Sequence, residues 1–211
     1  MPNNKAVIPY SAYILHHNYL LKYEKPANKM GTHTLISSDD VRKCSFNLGK
    51  KLIETKFYPD IIYSILRGGI FIGLPIHEFY THNGHKAKYG VIHAKSYTAP
   101  GRQSKVKVKD YFPLLDTVKR SDRILIADDI IDSGNTIEKI ISDIESNTCL
   151  RYKKKPCIKD QQIVIVSHDI KEPKIMPDLY CHQWPKDAWL IYLSHELEGL
   201  TKEEIALYHG I

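Results

Sequence analysis

With 211 residues, 43% of them hydrophobic and 26% charged, the chain has the apolar mass for one globular core and too much of it for a disordered polymer. No stretch approaches the roughly 20 uninterrupted apolar residues that a membrane helix needs, and the polar residues 1–5 carry no signal-peptide core, so a soluble cytoplasmic protein is expected. The net charge of +6 suits a polyanion, either nucleic acid or a small polyphosphate, without choosing between them.

Residues 1–32 read as an N-terminal extension, with Ser11 the cap of an amphipathic helix over residues 11–23 and a loop after Pro26. A single domain over residues 33–211 follows, since no repeat, low-complexity tract or linker divides it. After the apolar run Thr34-Leu35-Ile36, Ser38 is the expected N-cap of a helix that places Val41, Cys44, Leu48 and Leu52 on one face. Residues 60–65 form a strand broken by Gly68 and Gly69. A helix over residues 70–80 must then hold Pro75 in its first turns. Strands follow at residues 89–93, 124–127, 163–167 and 189–193, with a turn over residues 128–136 and a helix over residues 137–146. Strands joined through helices predict a mostly parallel α/β sheet flanked by helices, with ligands beyond the carboxyl ends of the strands.

The four cysteines, Cys44, Cys149, Cys157 and Cys181, lie too far apart for a CxxC pair and read as reduced thiols. None of the eleven histidines forms an HxxxH pair, so they read as solvated or core residues. The basic stretches at residues 102–109 and 151–155 read as solvated loops.

The chemistry concentrates in the run from Ile124 to Thr136. After a buried strand, Asp132-Ser133-Gly134-Asn135-Thr136 opens a helix and offers backbone N–H groups, two hydroxyls and a helix N-terminus, a cup suited to a terminal phosphate. Asp128 and Asp129 precede it by about the length of a sugar. An Asp- and Ser-rich cap turn explains one acid but not three, and two adjacent buried carboxylates repel each other unless a cation or polyol uses them.

Four apolar residues, two acids, two apolar residues and Asp-Ser-Gly-x-Thr resemble the signature of the type I phosphoribosyltransferases, and Asp132 resembles the acid of the 6-oxopurine branch, the hypoxanthine-guanine and xanthine-guanine enzymes. The resemblance implies the type I fold with a small hood, in which a C-terminal segment binds the purine. It implies an Mg²⁺-dependent transfer from phosphoribosyl pyrophosphate, with Asp132 as acid or base for the purine N7 proton. Asp128 and Asp129 hold ribose and metal, and Ser133, Gly134, Asn135 and Thr136 hold the 5′-phosphate.

The same resemblance makes Leu66-Arg67-Gly68-Gly69 the pyrophosphate loop, with an unusual peptide bond between Leu66 and Arg67, and adds Lys202 as a later pyrophosphate contact. Ser96 and Tyr97, followed by the basic stretch to Asp110, become the mobile catalytic loop. Trp189, Leu190 and Ile130 meet the purine, and Glu196 helps bind metal. One departure concerns specificity. The lysine expected just after the strand at residues 163–167, where it recognises the purine 6-oxo group, falls on His168, with Lys171 three residues beyond.

The implied partners are small-molecule substrates and further copies of the chain in a homodimer or homotetramer, with neither membrane nor nucleic acid expected. The reading set against this enzyme is a regulator on the same fold that senses phosphoribosyl pyrophosphate or nucleotide and binds nucleic acid through its basic loops.

Overall fold

The computed structural model describes residues 19–20, 29–30, 33–99, 102–112, 115–152, 162–192, 201–203 and 206. A seven-stranded sheet is built from β1 (Tyr19–Leu20), β4 (Ile61–Leu66), β5 (Lys88–Ala99), β6 (Arg102–Phe112), β7 (Arg123–Ile131), β8 (Gln162–Ile170) and β9 (Leu179–Gln183), in the order β1-β9-β8-β7-β4-β5-β6. All neighbours are parallel except β5 and β6. A small second sheet joins β2 (Lys29–Met30) and β3 (His33–Leu35) to β10 (Trp189–Ile191).

Helices cover both faces. On one, α1 (Ser38–Glu54) brings Val41, Cys44, Leu48 and Leu52, and α2 (Ile70–His82) brings Ile72, Ile76 and Tyr80, against Leu125, Val164, Val166 and Leu179. On the other, α3 (Asn135–Tyr152) packs Ile137, Ile140 and Ile144 against Ile124, Ile126 and Ile165. Each face therefore takes alternate residues of the same strands, as a doubly covered parallel sheet requires.

Several elements differ from the sequence reading. The cap of α1 is Ser37, whose hydroxyl accepts from the Asp40 N–H at 3.1 Å, so the helix starts one residue before Ser38 would allow. Pro75 lies in the second turn of α2, where its ring removes the N–H that would reach the Phe71 carbonyl; Ser45 of α1 places its hydroxyl 3.2 Å from that oxygen instead. Strand β7 runs on to Ile131 rather than ending at Ala127. Its pairing with β4 stops at Ala127, but pairing with β8 continues through Ile130↔Asp169 and Ile131↔Ile170.

The segment expected as a loop after Thr98 is strand β6, which doubles back on β5 with shifts of register near Ala94 and Tyr97. Its Lys-Val alternation was masked by its charge. Within the helix expected over residues 11–23, Tyr19 and Leu20 form a strand parallel to β9; the rest of that expectation lies outside the described residues.

The reading of reduced thiols is corrected for two of the four cysteines. Cys44 on α1 and Cys181 on β9 are joined as a disulfide, with Cα atoms 6.4 Å apart and a sequence separation of 137. Packing α1 across β9 brings the two together, which no local spacing announces. Among the described residues no helix is long and apolar enough to cross a membrane.

Candidate active site

Strand order places the site. From β4 the chain builds outward through β5 and β6, whereas from β7 it builds the other way through β8 and β9. The reversal falls between β4 and β7, and open parallel sheets bind ligands in the crevice at such a point, beyond the strand carboxyl ends. The two segments that end there are Arg67–Gly69 and Asp128–Thr136.

They are in contact. Gly68 is buried, and a Cβ there would lie 1.6 Å from Asp129 Oδ2, so only a residue without a side chain lets the loop reach the acid. The Leu66–Arg67 peptide bond is cis. Arg67 is exposed at the rim. Gly69 has a different role from the one expected: its N–H donates to the Ile65 carbonyl at 2.9 Å, and a Cβ would lie 2.4 Å from the Ala127 carbonyl. It closes the turn onto the sheet, leaving Gly68 to face the crevice.

Asp128 and Asp129 are both buried, each 8% exposed. Asp128 Oδ1 accepts from the Asp129 N–H at 3.0 Å, and Asp129 Oδ1 accepts from the Ile130 N–H at 3.0 Å. Burial, and then the neighbouring charge of Asp129, hold the Asp128 carboxyl well above the usual carboxylate range. Two adjacent buried acids suit a cation or a pair of hydroxyl donors, because either offsets their desolvation and mutual repulsion.

Beyond β7 the chain makes the cup. Gly134 has φ +79°, the left-handed region that disfavours other residues, and α3 starts at Asn135. The Glu138 N–H donates to the Gly134 carbonyl at 3.0 Å. The N–H groups of the intervening residues thus end the helix and can serve an anion. The loop after β8 braces the cup from outside: Lys171 N–H donates to the Ile131 carbonyl, Lys174 N–H donates to the Ser133 carbonyl, and Ile175 N lies 3.1 Å from where a Cβ on Gly134 would stand.

Asp132 is about a third exposed, and Lys171 Nζ lies 3.7 Å from its Oδ2. His168 is not brought to this site. It is fully buried, beside Asp169, His182 and Tyr192, and Lys171 rather than His168 lies beside Asp132. Leu190 points inward with Tyr192 into the core under α1, Ile130 packs half-buried at the edge of that core, and Trp189 on β10 is half-buried.

Lys202 is exposed. Ser96 and Tyr97 lie on β5, in the ribbon with β6, and Glu196 lies outside the described residues. Beside Gly68 and Asp129 a cavity of about 410 Å³ opens between α1 and α2, lined by Val41, Ile70, Phe71 and Leu74.

An acid pair, a helix N-terminus and a glycine turn thus meet at the switch point of a doubly covered α/β sheet, the place where such sheets take phosphorylated ligands. Residues 37–166 match the phosphoribosyl transferase domain, and the chain belongs to that family.

Solved structures agree in fold. A purine phosphoribosyltransferase from Pyrococcus horikoshii is similar at TM-score 0.56 and 21% identity, over 81% of this chain and 97% of that one. The Helicobacter pylori xanthine-guanine-hypoxanthine phosphoribosyltransferase is similar at 0.54 and 22%, over 76% and 91%. A hypothetical protein from Neisseria gonorrhoeae with bound ppGpp is similar at 0.52 and 16%, over 87% and 99%. Among curated protein sequences none matches this chain.

Proposed function

We propose that the protein transfers the 5-phosphoribosyl group from phosphoribosyl pyrophosphate to N9 of a 6-oxopurine, releasing pyrophosphate and a nucleoside 5′-monophosphate, as in purine salvage. The observation that carries this reading is the contact of Gly68 with the Asp129 carboxylate. It joins a loop suited to pyrophosphate and an acid pair suited to ribose in one crevice, with the phosphate cup at its end.

Within that crevice Ser133, Gly134, Asn135 and Thr136 hold the 5′-phosphate, Asp128 and Asp129 hold the ribose hydroxyls, and Arg67 with the Gly68 backbone takes the pyrophosphate. The buried acid pair fits a hard divalent cation, and Mg²⁺ held by Asp128 and Asp129 would neutralise charge on the leaving group. The sugar becomes oxocarbenium-like as pyrophosphate leaves. The protein's work is therefore to align the base and to exclude water, which the β5–β6 ribbon carrying Ser96 and Tyr97 would do by folding over the crevice.

Asp132 exchanges the N7 proton, Lys171 donates to the 6-oxo oxygen, and Trp189 stacks on the base. The Lys171–Asp132 pair supports a 6-oxopurine, since together they offer an acceptor and a fixed positive donor at spacing suited to N7 and the 6-oxo oxygen. The two relatives named for purine substrates point the same way. The partly exposed carboxylate of Asp132 favours an enzyme over a nucleotide-sensing regulator, which needs no proton handling at that position.

The exposed side chains Phe71 and Leu74, 38% and 48% accessible, support a homo-oligomer that covers this face of α2. The activity is tested by ultraviolet absorbance after mixing protein, phosphoribosyl pyrophosphate and Mg²⁺ with hypoxanthine, guanine or xanthine. A donor-dependent change with at least one base is expected. No change with any of them, together with salt-sensitive binding of RNA or DNA, would favour the regulator.

A further inference from the structure

We infer that His168, Asp169 and His182 form a binding site for a transition-metal ion of the zinc class, distinct from the acid pair of the crevice. Each of the three offers one ligand atom such that all of these atoms lie within 4.8 Å of one another. His168 and Asp169 are completely buried and His182 is 5% exposed. Asp169 and His182 are register partners on β8 and β9, so the sheet itself fixes two of the three ligands.

The pairing of His168 with Asp169 argues for an ion between them. Nδ1 of His168 lies 3.1 Å from Asp169 Oδ2, yet neither ring nitrogen of His168 has a hydrogen-bond partner, and Asp169 Oδ1 has none either. The contact is close but not aligned as donor and acceptor. That is the relation of two ligands pointing at a common centre.

Unpartnered buried polar atoms cost on the order of 1–3 kcal/mol each. Coordination would satisfy them together. Two imidazoles and a carboxylate are borderline donors that prefer zinc, cobalt or iron to magnesium.

The surroundings complete such a site. The Tyr192 hydroxyl donates to Asp169 Oδ2 and would orient the carboxylate. That hydroxyl is also 3.2 Å from the Asp129 carbonyl, and Ser167 Oγ lies 2.7 Å from the Asp169 carbonyl and 3.3 Å from that of Asp129. An ion here is sealed from substrate and is structural. It braces the backbone that carries the acid pair.

The test uses untagged full-length protein, stripped with a chelator and titrated with Co²⁺. We expect visible ligand-field absorption that saturates at about one equivalent per chain, survives an excess of Mg²⁺, and is displaced by Zn²⁺. The same absorption should persist in Asp128→Asn and vanish in His168→Asn and His182→Asn, with circular dichroism reporting whether each variant is folded.

Chelation of the wild-type protein should also lower its thermal midpoint, and Zn²⁺ should restore it. Absence of Co²⁺ absorption in the wild-type protein, or its loss in folded Asp128→Asn, overturns the assignment. If the histidine variants do not fold, the wild-type titration and the midpoint shift decide.

Discussion

At Asp132 and Lys171 a carboxyl and an amine lie 3.7 Å apart beside the turn that opens α3, and the proposed role of each has its own consequence. Asp132→Asn keeps the shape but cannot exchange a proton. Turnover should fall by about 10²-fold or more while the KM for the donor stays nearly constant, as steady-state kinetics would record. Under the proposed reading Lys171→Met removes a charged hydrogen bond from the base and the ion-pair partner of Asp132, raising the KM for the purine by roughly 10- to 100-fold and lowering turnover as well. At Gly68 the constraint is steric. Gly68→Ala drives a methyl group into Asp129, so it should lose activity and about 1–3 kcal/mol of stability in denaturant titrations.

Among elements, the β8–β9 connection carries a buried acid that the proposed reaction does not use. Asp178 accepts from the Ile165 N–H at 2.8 Å, and burial, only partly offset by backbone hydrogen bonds, raises its carboxyl from 3.8 to about 6. Between those values the folded state holds more protons than the unfolded one. Stability therefore falls as pH rises from about 4 to 6 and is level above that. Asp178→Asn should make this slope shallower, leaving the part due to Asp128, and raise the thermal midpoint at pH 7.5. An unchanged slope in melts across pH 4–7 would contradict it.

The elements also show what a single sequence can reveal. Helix α1 was legible from its apolar period, α2 from its apolar segment after Gly68 and Gly69, and the core strands from their apolar runs. The end of β7 was not, because its last residues pair with β8 alone. The β5–β6 ribbon was hidden by its lysines, whose charge reads as a loop.

For the whole molecule, the crevice follows from the order of strands, and the signature residues 128–136 lie at its edge. What linear spacing could not show is which distant residues meet. His168 and His182 lie 14 positions apart and join only because β8 and β9 are neighbours, while Cys44 meets Cys181 across α1. Lys171 was legible as a nearby cation but not as the partner of Asp132, since that contact depends on the loop after β8 folding back onto the cup.

The apolar face of α2 belongs to this scale too. Leu74→Asp should shift the sedimentation coefficient from that of an oligomer to that of a monomer.

The joining of the Arg67–Gly69 turn to the cup at residues 128–136 is tested most directly by ³¹P nuclear magnetic resonance of phosphoribosyl pyrophosphate with enzyme, Mg²⁺ and a 6-oxopurine. The proposed chemistry predicts disappearance of the donor's diphosphate resonances, with matched growth of pyrophosphate and a nucleoside monophosphate, only when the base is present, and strong slowing in Asp132→Asn. A donor that stays intact with hypoxanthine, guanine and xanthine alike, while still binding to the folded protein, would contradict it.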